Sequence, residues 1–422
     1  MIDALRNAAR IEDLRSKLLY TVALLTVFRI GSHIPVPGVD AAALAERFRT
    51  GSANIFGFLD LFAGGALTNF SIFALSVTPY ITASIIMQLL TVVVPRLEEL
   101  AKEGIEGRKI LAQYTRYGTV VLAVVQALGV TSLASAYQVL YDTSFFSKTL
   151  IVVTLTAGTV LLMWLGEKIT ENGIGNGISL IIFTGIVARL PASAITIGRA
   201  IGEGGISPLG VIALAVLSVA LIAAIIFMQE GQRRIPVQYA KRVVGRRMYG
   251  GQSTHIPMRV NQAGVIPIIF ASSVLLFPLT LTQFVPALGF INRFLDFGTP
   301  LYNALYAILV IFFTYFYTAI TFNPRDVADN MKKYGGFIPG IRPGQPTAEY
   351  LDRILTRITM VGALFLALIA VTPYILAGVT GVPRAFISIG GTGLLIVVGV
   401  ALDTLKQIEA HLLMRQYEGF IR

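Results

Sequence analysis

The sequence contains no cysteine, which removes disulfide frameworks, thiolate zinc sites and thiol nucleophiles at once. Charge is scarce too. Asp, Glu, Lys and Arg make up 14% of the residues, too few to coat the soluble domains that a 422-residue chain would ordinarily form. That charge sits in short stretches, and the long apolar runs between them hold no Asp or Glu. Of three histidines, His33 stands at the edge of the first run, while His255 and His411 fall outside the runs. Ion-coupled pumps rely on such groups inside the bilayer, so self-powered pumping lacks its usual chemistry here. No G-x-x-x-x-G-K-[ST] phosphate loop occurs. Gly173-Ile174-Gly175-Asn176-Gly177 is glycine-rich, but no strand leads into it, and a tight turn entering the next run is the better reading.

What the sequence has in abundance is apolar length. Hydrophobic residues are 55% of the chain and the mean hydropathy is +0.73. A helix crosses the hydrocarbon core with about 20 mostly apolar residues. Ten such runs stand out, at 18–34, 71–94, 117–139, 149–165, 178–197, 209–228, 263–288, 301–322, 358–377 and 386–401. They predict an all-α polytopic membrane protein. Arg29 and Arg189 lie towards the ends of their runs, where long basic side chains are expected to snorkel to the interface. Residues 1–17, polar and of mixed charge, read as a short helix on the membrane surface. The run from Leu18 leads into Ser32-His33-Ile34-Pro35 and not into a small-residue cleavage site, so no cleavable signal peptide is expected.

The net charge of +11 would suggest nucleic acid as a partner for a soluble protein. Here its distribution points first to topology. With ten spans both termini share one side, and that side holds 26 of the 34 Lys and Arg against 7 opposite. The positive-inside bias puts both termini in the cytoplasm. A break at Gly202-Glu203-Gly204-Gly205 divides the chain into halves, 1–200 and 201–422, with five spans each. An odd number per half permits inverted repeats, although the halves show no clear sequence repeat.

Three connecting segments exceed what connection requires. Residues 55–67, between the first two runs, are strongly apolar yet too short to cross, and they carry Asp60. They read as an interfacial re-entrant helix or as a short helix folded back to close a cavity. Gly64 and Gly65 would give it freedom to swing. The loop 229–262 has β-like runs at 234–239 and 255–260 around a basic tip with Lys241, Arg242, Arg246 and Arg247. That pattern suggests a projecting hairpin, with a surface suited to a protein partner or to anionic RNA. The loop 323–350 opens on Asn323-Pro324, a helix-start signal, and breaks at Gly335-Gly336. It then holds Arg342 on a stiff turn among Pro339, Gly340, Pro343 and Gly344. Topology explains the sign of these loops, and docking of a cytoplasmic partner explains their length and turn chemistry as well.

At these residues the chain resembles the SecY family along nearly its whole length. The matching stretches include Phe28-Arg29-Ile30-Gly31, Gly64-Gly65-Ala66-Leu67, 78–90, 113–118, 173–179, Gln252-Ser253-Thr254-His255-Ile256-Pro257, 263–267 and 339–344. The resemblance implies two five-helix inverted halves around an hourglass pore, in the bacterial inner membrane. Through it unfolded polypeptides cross, or leave sideways into lipid at a lateral gate that admits signal peptides. It implies a pore ring of Val77, Ile81, Ile178, Ile182, Ile269 and Ile396. It also implies a plug containing Phe56, Phe58, Leu59, Leu61, Phe62, Gly64, Gly65 and Leu67, and a polar lateral-gate cluster with Gln88 and Asn261. Val77/Ile81 and Ile178/Ile182 are i,i+4 pairs, so each pair shares a helix face. The partners implied are SecE, SecG, the SecA motor and the ribosome with its nascent chain, with ribosomal RNA contacts at the 229–262 loop and motor-driven export at Arg342. No cofactor, metal or catalytic residue is implied. A solute transporter is the competing class, and it would need ionisable groups that the runs lack. A purely structural membrane scaffold would need neither the 55–67 segment nor the two long loops.

Overall fold

The computed structural model describes residues 11–41, 43–44, 60, 63–202, 208–239, 242–244, 247–249, 253–281, 299–380 and 389–421. Helices dominate. They are α1 (Glu12–Gly31), α2 (Thr78–Val93), α3 (Pro95–Lys102), α4 (Ile105–Ala136), α5 (Phe145–Asn172), α6 (Gly177–Gly202) and α7 (Pro208–Glu230). After a β-hairpin come α8 (Ile266–Leu281), α9 (Pro300–Thr321), α10 (Pro324–Lys333) and α11 (Gln345–Thr380). A π-helical turn (Ile389–Gly393) then leads into α12 (Leu394–Ile421).

Each of the ten apolar runs overlaps one of these helices among the described residues. Among the described residues seven helices are long and apolar enough to cross a membrane: α4, α5, α6, α7, α9, α11 and α12. The α2–α3 pair makes an eighth, bent by 101° where Pro95 interrupts the helix. The other two runs are α1, which carries Arg15, Lys17 and Arg29, and α8, which has a short apolar stretch. Residues 12–17 belong to α1 itself, not to a separate surface helix; residues 1–10 lie outside the described residues. Several helices overrun their apolar runs. The periodic sequence continues past the hydrocarbon core into water, so α11 starts thirteen residues before its run at 358.

The second run departs the other way. Its helix begins only at Thr78, and residues 64–77 form successive turns, with Phe70 and Ser76 in the left-handed region. Apolarity marked these residues as buried, correctly: Phe70, Phe73, Ala74, Leu75 and Val77 are in the core. It could not tell a buried turn from a buried helix. Polar side chains support the turns locally; Ser71 Oγ accepts from the Phe73 amide at 3.3 Å.

Helices before residue 203 pack mainly on one another, as α2–α4, α4–α5, α5–α6, α1–α5 and α1–α6. Those after 208 do likewise, as α8–α9, α9–α11, α7–α12 and α7–α11. The two groups meet at α2–α8 and at α6–α12. Outward faces are apolar: Leu209, Ile212, Val216 and Val219 of α7 are exposed at helical spacing, as expected where lipid replaces water.

A second, smaller core lies off the helical body. The expected hairpin is present: β1 (Gln232–Tyr239) pairs antiparallel with β4 (Ser253–Arg259), Ile235 opposite Ile256. β5 (Gly336–Phe337) adds to the other edge of β1, and β2 (Arg242–Val244) with β3 (Arg247–Tyr249) forms a two-stranded sheet at the tip. Ile235, Val237 and Met258 from the hairpin pack against Met331, Ile338, Leu351, Ile354 and Leu355. The hairpin, α10 and the start of α11 therefore form one module. α10 starts where Asn323-Pro324 predicts, and the Asn323 side-chain carbonyl accepts from the Arg325 amide at 3.1 Å.

Candidate functional site: an apolar throat between two helix groups

A cavity of about 480 Å³ opens between the two groups. Its polar wall includes Ser84 of α2, Arg116 of α4, Glu167, Thr170 and Glu171 near the end of α5, and Asn176, which precedes α6. Arg116 pairs with Glu167 at 2.9 Å across α4 and α5. The apolar wall holds Ile81 of α2, Ile178 and Ile182 of α6, and Ile266, Ile269 and Phe270 of α8.

Four of the six expected ring residues, Ile81, Ile178, Ile182 and Ile269, therefore line one cavity. Val77 and Ile396 do not line it. They are buried in the apolar core that also contains Ile182 and Ile269, and against which Ile81 and Ile178 pack. Val77 is the N-cap of α2, and its carbonyl accepts from the Ile81 amide at 3.0 Å, so the i,i+4 pair spans the first turn of the helix. The cavity has one apolar wall and one that carries Glu167, Glu171 and Arg116. It can admit a chain, and its aliphatic wall offers little specific binding.

The glycine-rich 173–177 segment is the expected tight turn. Its amides are already engaged: Ile174 donates to Thr21 Oγ1 (3.1 Å), Gly175 to Gln407 Oε1 (2.9 Å) and Gly177 to Thr170 Oγ1 (2.9 Å). Backbone donors committed in this way are not available to cradle a phosphate. The turn instead joins α1, α5 and α12.

Gln88 also lines the cavity, and its amide approaches Ser84 Oγ at 3.4 Å. Asn261 is buried and donates to the Gly264 carbonyl at 3.0 Å, leaving its Oδ1 without a protein partner. Each makes local bonds, while the neighbouring helices α2 and α8 pack together.

Of the expected plug residues, Phe56, Phe58, Leu59, Leu61 and Phe62 lie outside the described residues. Gly64, Gly65 and Leu67 are described, with Ala63, Ala66 and Leu67 buried in the main core. Gly64 and Gly65 do adopt left-handed backbone, at φ +66° and +92°. Gly64, however, is packed rather than free to swing: a Cβ there would meet Gly185 Cα of α6 at 2.6 Å. Both span arginines also have partners within the protein: Arg29 Nη1 donates to the Gly64 carbonyl at 2.8 Å, and Arg189 Nη1 reaches Asp60 at 2.8 Å. A buried carboxylate nearby offers a charged partner that the interface does not. Only the awkward Asp60 inside an apolar segment hinted at this in the sequence.

Among the basic docking candidates, Lys241 and Arg246 lie outside the described residues, and Arg242 and Arg247 stand on β2 and β3. Arg342 is exposed. Its turn is held by the Ile341 amide on the Ile338 carbonyl (3.0 Å) and by Thr347 Oγ1 on the Arg342 carbonyl (2.8 Å). Beside it an open groove of about 540 Å³ runs between α10 and α11, lined by Arg325, Asp329, Glu349 and Asp352 among others.

The fold and this site define a class: a multi-pass helical membrane protein with an isoleucine-lined throat between two helix groups. The chain belongs to the SecY family, whose model matches residues 71–405. It is 49% identical over 441 residues to the protein translocase subunit SecY of Streptomyces galbus, and 50% identical over 434 residues to that of Halalkalibacterium halodurans, in both cases across 100% of each chain. The fold is shared with a solved protein-conducting channel (TM-score 0.67, 19% identity, 94% of this chain and 92% of that one). It is shared as well with Sec61 in the canine ribosome–channel complex (TM-score 0.64, 18% identity, the same coverage).

Proposed function

We propose that this chain is the central subunit of a protein translocase, a passive gated conduit for unfolded polypeptides with a lateral exit for membrane segments. The observation that carries the reading is the apolar throat: Ile81, Ile178, Ile182 and Ile269 converge from three helices in two groups. Val77 and Ile396, buried in the same core, complete the ring in this reading. Aliphatic side chains fit around an extended chain without gripping it and exclude water when it is absent. Full-length kinship with translocase subunits supports the same conclusion. Residues 1–200 and 201–422 act as the two halves, joined along α6–α12 and separable along α2–α8, where Gln88 and Asn261 stand at the gate that signal peptides open. Residues 55–67 act as the plug.

The chain catalyses no reaction in this reading, and the driving force comes from partners. The exposed Arg342 turn and its groove receive the SecA motor, and the basic tip around Arg242 and Arg247 receives the ribosome and its RNA. SecE clamps the halves and SecG lies alongside. Kinship with bacterial translocase subunits favours the bacterial inner membrane, and the charge split favours both termini in the cytoplasm. Single cysteines introduced at Arg342 and Thr143 test that orientation in this cysteine-free chain. Impermeant reagent should reach the first only from the cytoplasm and the second only from outside, and the reverse pattern overturns it. The functional test is reconstitution with SecE, SecG, SecA, ATP and an unfolded precursor. ATP-dependent protection of the precursor from protease is expected, and solute uptake without precursor transport would overturn the reading.

A further inference from the structure

We infer that Asp60 and Arg189 are positioning residues that latch the sealing segment in register beneath the throat, an inference that rests on the plug reading above. Asp60 is 2% exposed, inside an otherwise apolar core. Its Oδ1 accepts from the amides of Leu67 (2.9 Å) and Thr68 (3.2 Å), and its Oδ2 accepts from the Thr68 hydroxyl and from Arg189 Nη1 (2.8 Å). A buried carboxylate is costly unless each of its oxygens is satisfied and its charge is met. This one is satisfied only where Arg189, Leu67 and Thr68 converge. The pair therefore specifies one placement of the segment, because a shift of one turn along α6 would strand the charge.

Independent contacts fix the same register. Gly64, four residues on from Asp60, presses its backbone onto Gly185, one turn before Arg189, and Arg29 of α1 holds the Gly64 carbonyl from another side. Ile178, Ile182, Gly185 and Arg189 succeed one another at steps of four, three and four, so they form one stripe of α6. The inner part of that stripe is the throat wall, and its outer part receives the segment. Arg189 remains 32% exposed. When the segment leaves for a water-filled vestibule both charges hydrate, so the latch opens without trapping either one. Replacing one partner has a different result: the other is left buried in the closed state, and the segment loses its register.

The test uses the full chain with its partner subunits in proteoliposomes, in a Leu67→Cys background. Leu67 is 5% exposed and the chain has no cysteine of its own, so the introduced thiol is the single labelling site on this chain. Arg189→Met is expected to raise labelling of that thiol by impermeant maleimide, and the resting ion leak, several-fold. Asp60→Asn should act similarly, and the double variant should be no worse than either single change, because the two residues act as one unit. Arg189→Lys should restore most of the protection, which a merely structural loss of packing would not predict. Deletion of 55–67 provides the reference for the leak. A raised leak after deletion, with unchanged labelling and leak in Arg189→Met, overturns the latch and leaves the plug reading standing. An unchanged leak after deletion overturns the plug reading, and the latch with it. If Arg189→Met inserts poorly, the same comparison is made with Arg189→Gln.

Discussion

Residues 63–77, leading into α2, and residues 334–347, leading into α11, are made of similar material: short turns with glycines in the left-handed region, joined to long helices. They place charge in opposite ways. Around 63–77 it points inward, with Asp60 buried and Arg29 and Arg189 bonded to the segment. Around 334–347 the apolar residues point inward, Ile338 into the small core, and Arg342 is left exposed. An inward charge resists movement, because displacing it changes its solvation and its partners. An outward charge on a fixed turn is available to a second molecule, and Arg offers a planar fork of donors suited to carboxylates or helix C-terminal carbonyls. In one region the charge holds its own segment in place, and in the other the charge is free for a second molecule.

The strongest test of that contrast is reversal of the outward charge. Arg342→Glu is expected to leave folding and insertion intact, since exposed substitutions usually alter stability by only about 0.5 kcal/mol. ATP-driven translocation should fall by roughly tenfold or more, a loss of ~1.4 kcal/mol or more in productive docking. Arg342→Lys should be intermediate, because it keeps the charge and loses the fork. The measurement is translocation rate per amount of inserted protein. Normal transport by the Glu variant would remove Arg342 from the docking surface.

Between the two regions lies the throat, where the expected effect is smaller and of a different kind. Ile81→Ser and Ile182→Ser should raise the resting ion conductance several-fold, since a hydroxyl in the apolar wall lets water persist there. Protein transport should persist, because the throat guides the chain without gripping it. Bilayer conductance and precursor transport are measured on the same preparation. Conductance indistinguishable from the unsubstituted channel would mean that the seal lies elsewhere, in the 60–77 region alone.

The halves of this contrast were not equally legible in the sequence. The hairpin module was, because turn chemistry and capping are local: Asn323-Pro324 starts a helix, Gly335-Gly336 ends one, and two β-like runs pair. The ten apolar runs were legible for the same reason, since burial in lipid demands apolar length. The 60–77 region was not. Its turns are held by Arg29 and Arg189 reaching across space as well as by Ser71 locally, and its apolar residues imitate the start of a helix. Arg189 illustrates the limit: an arginine near a helix end is expected to seek water unless a carboxylate more than a hundred residues earlier comes within 2.8 Å. The throat falls between. Family likeness named all six of its residues, spacing accounts for two pairs, and only the packing separates the four that line the cavity from Val77 and Ile396.

The smallest effect asks whether the outward charge must be held or merely present. Thr347 is buried, and its hydroxyl donates to the Arg342 carbonyl at 2.8 Å, tying the turn to the first residues of α11. Thr347→Val keeps the shape and deletes that bond, which is worth about 1 kcal/mol net. The Arg342 turn is at the surface, so water can take over at the freed carbonyl, and the module keeps its core of Ile235, Val237, Met258 and Leu351. Motor-driven transport should therefore drop only about two- to fivefold through looser placement of Arg342, the low end of what a lost hydrogen bond is worth, and Thr347→Ser should recover it. Resting ion leak should not change, because none of these module residues lines the throat cavity. Motor binding and ion leak measured side by side check this. A rise in leak would show that the hairpin module and the 63–77 region are coupled, and the separation between the two regions would then have to be given up.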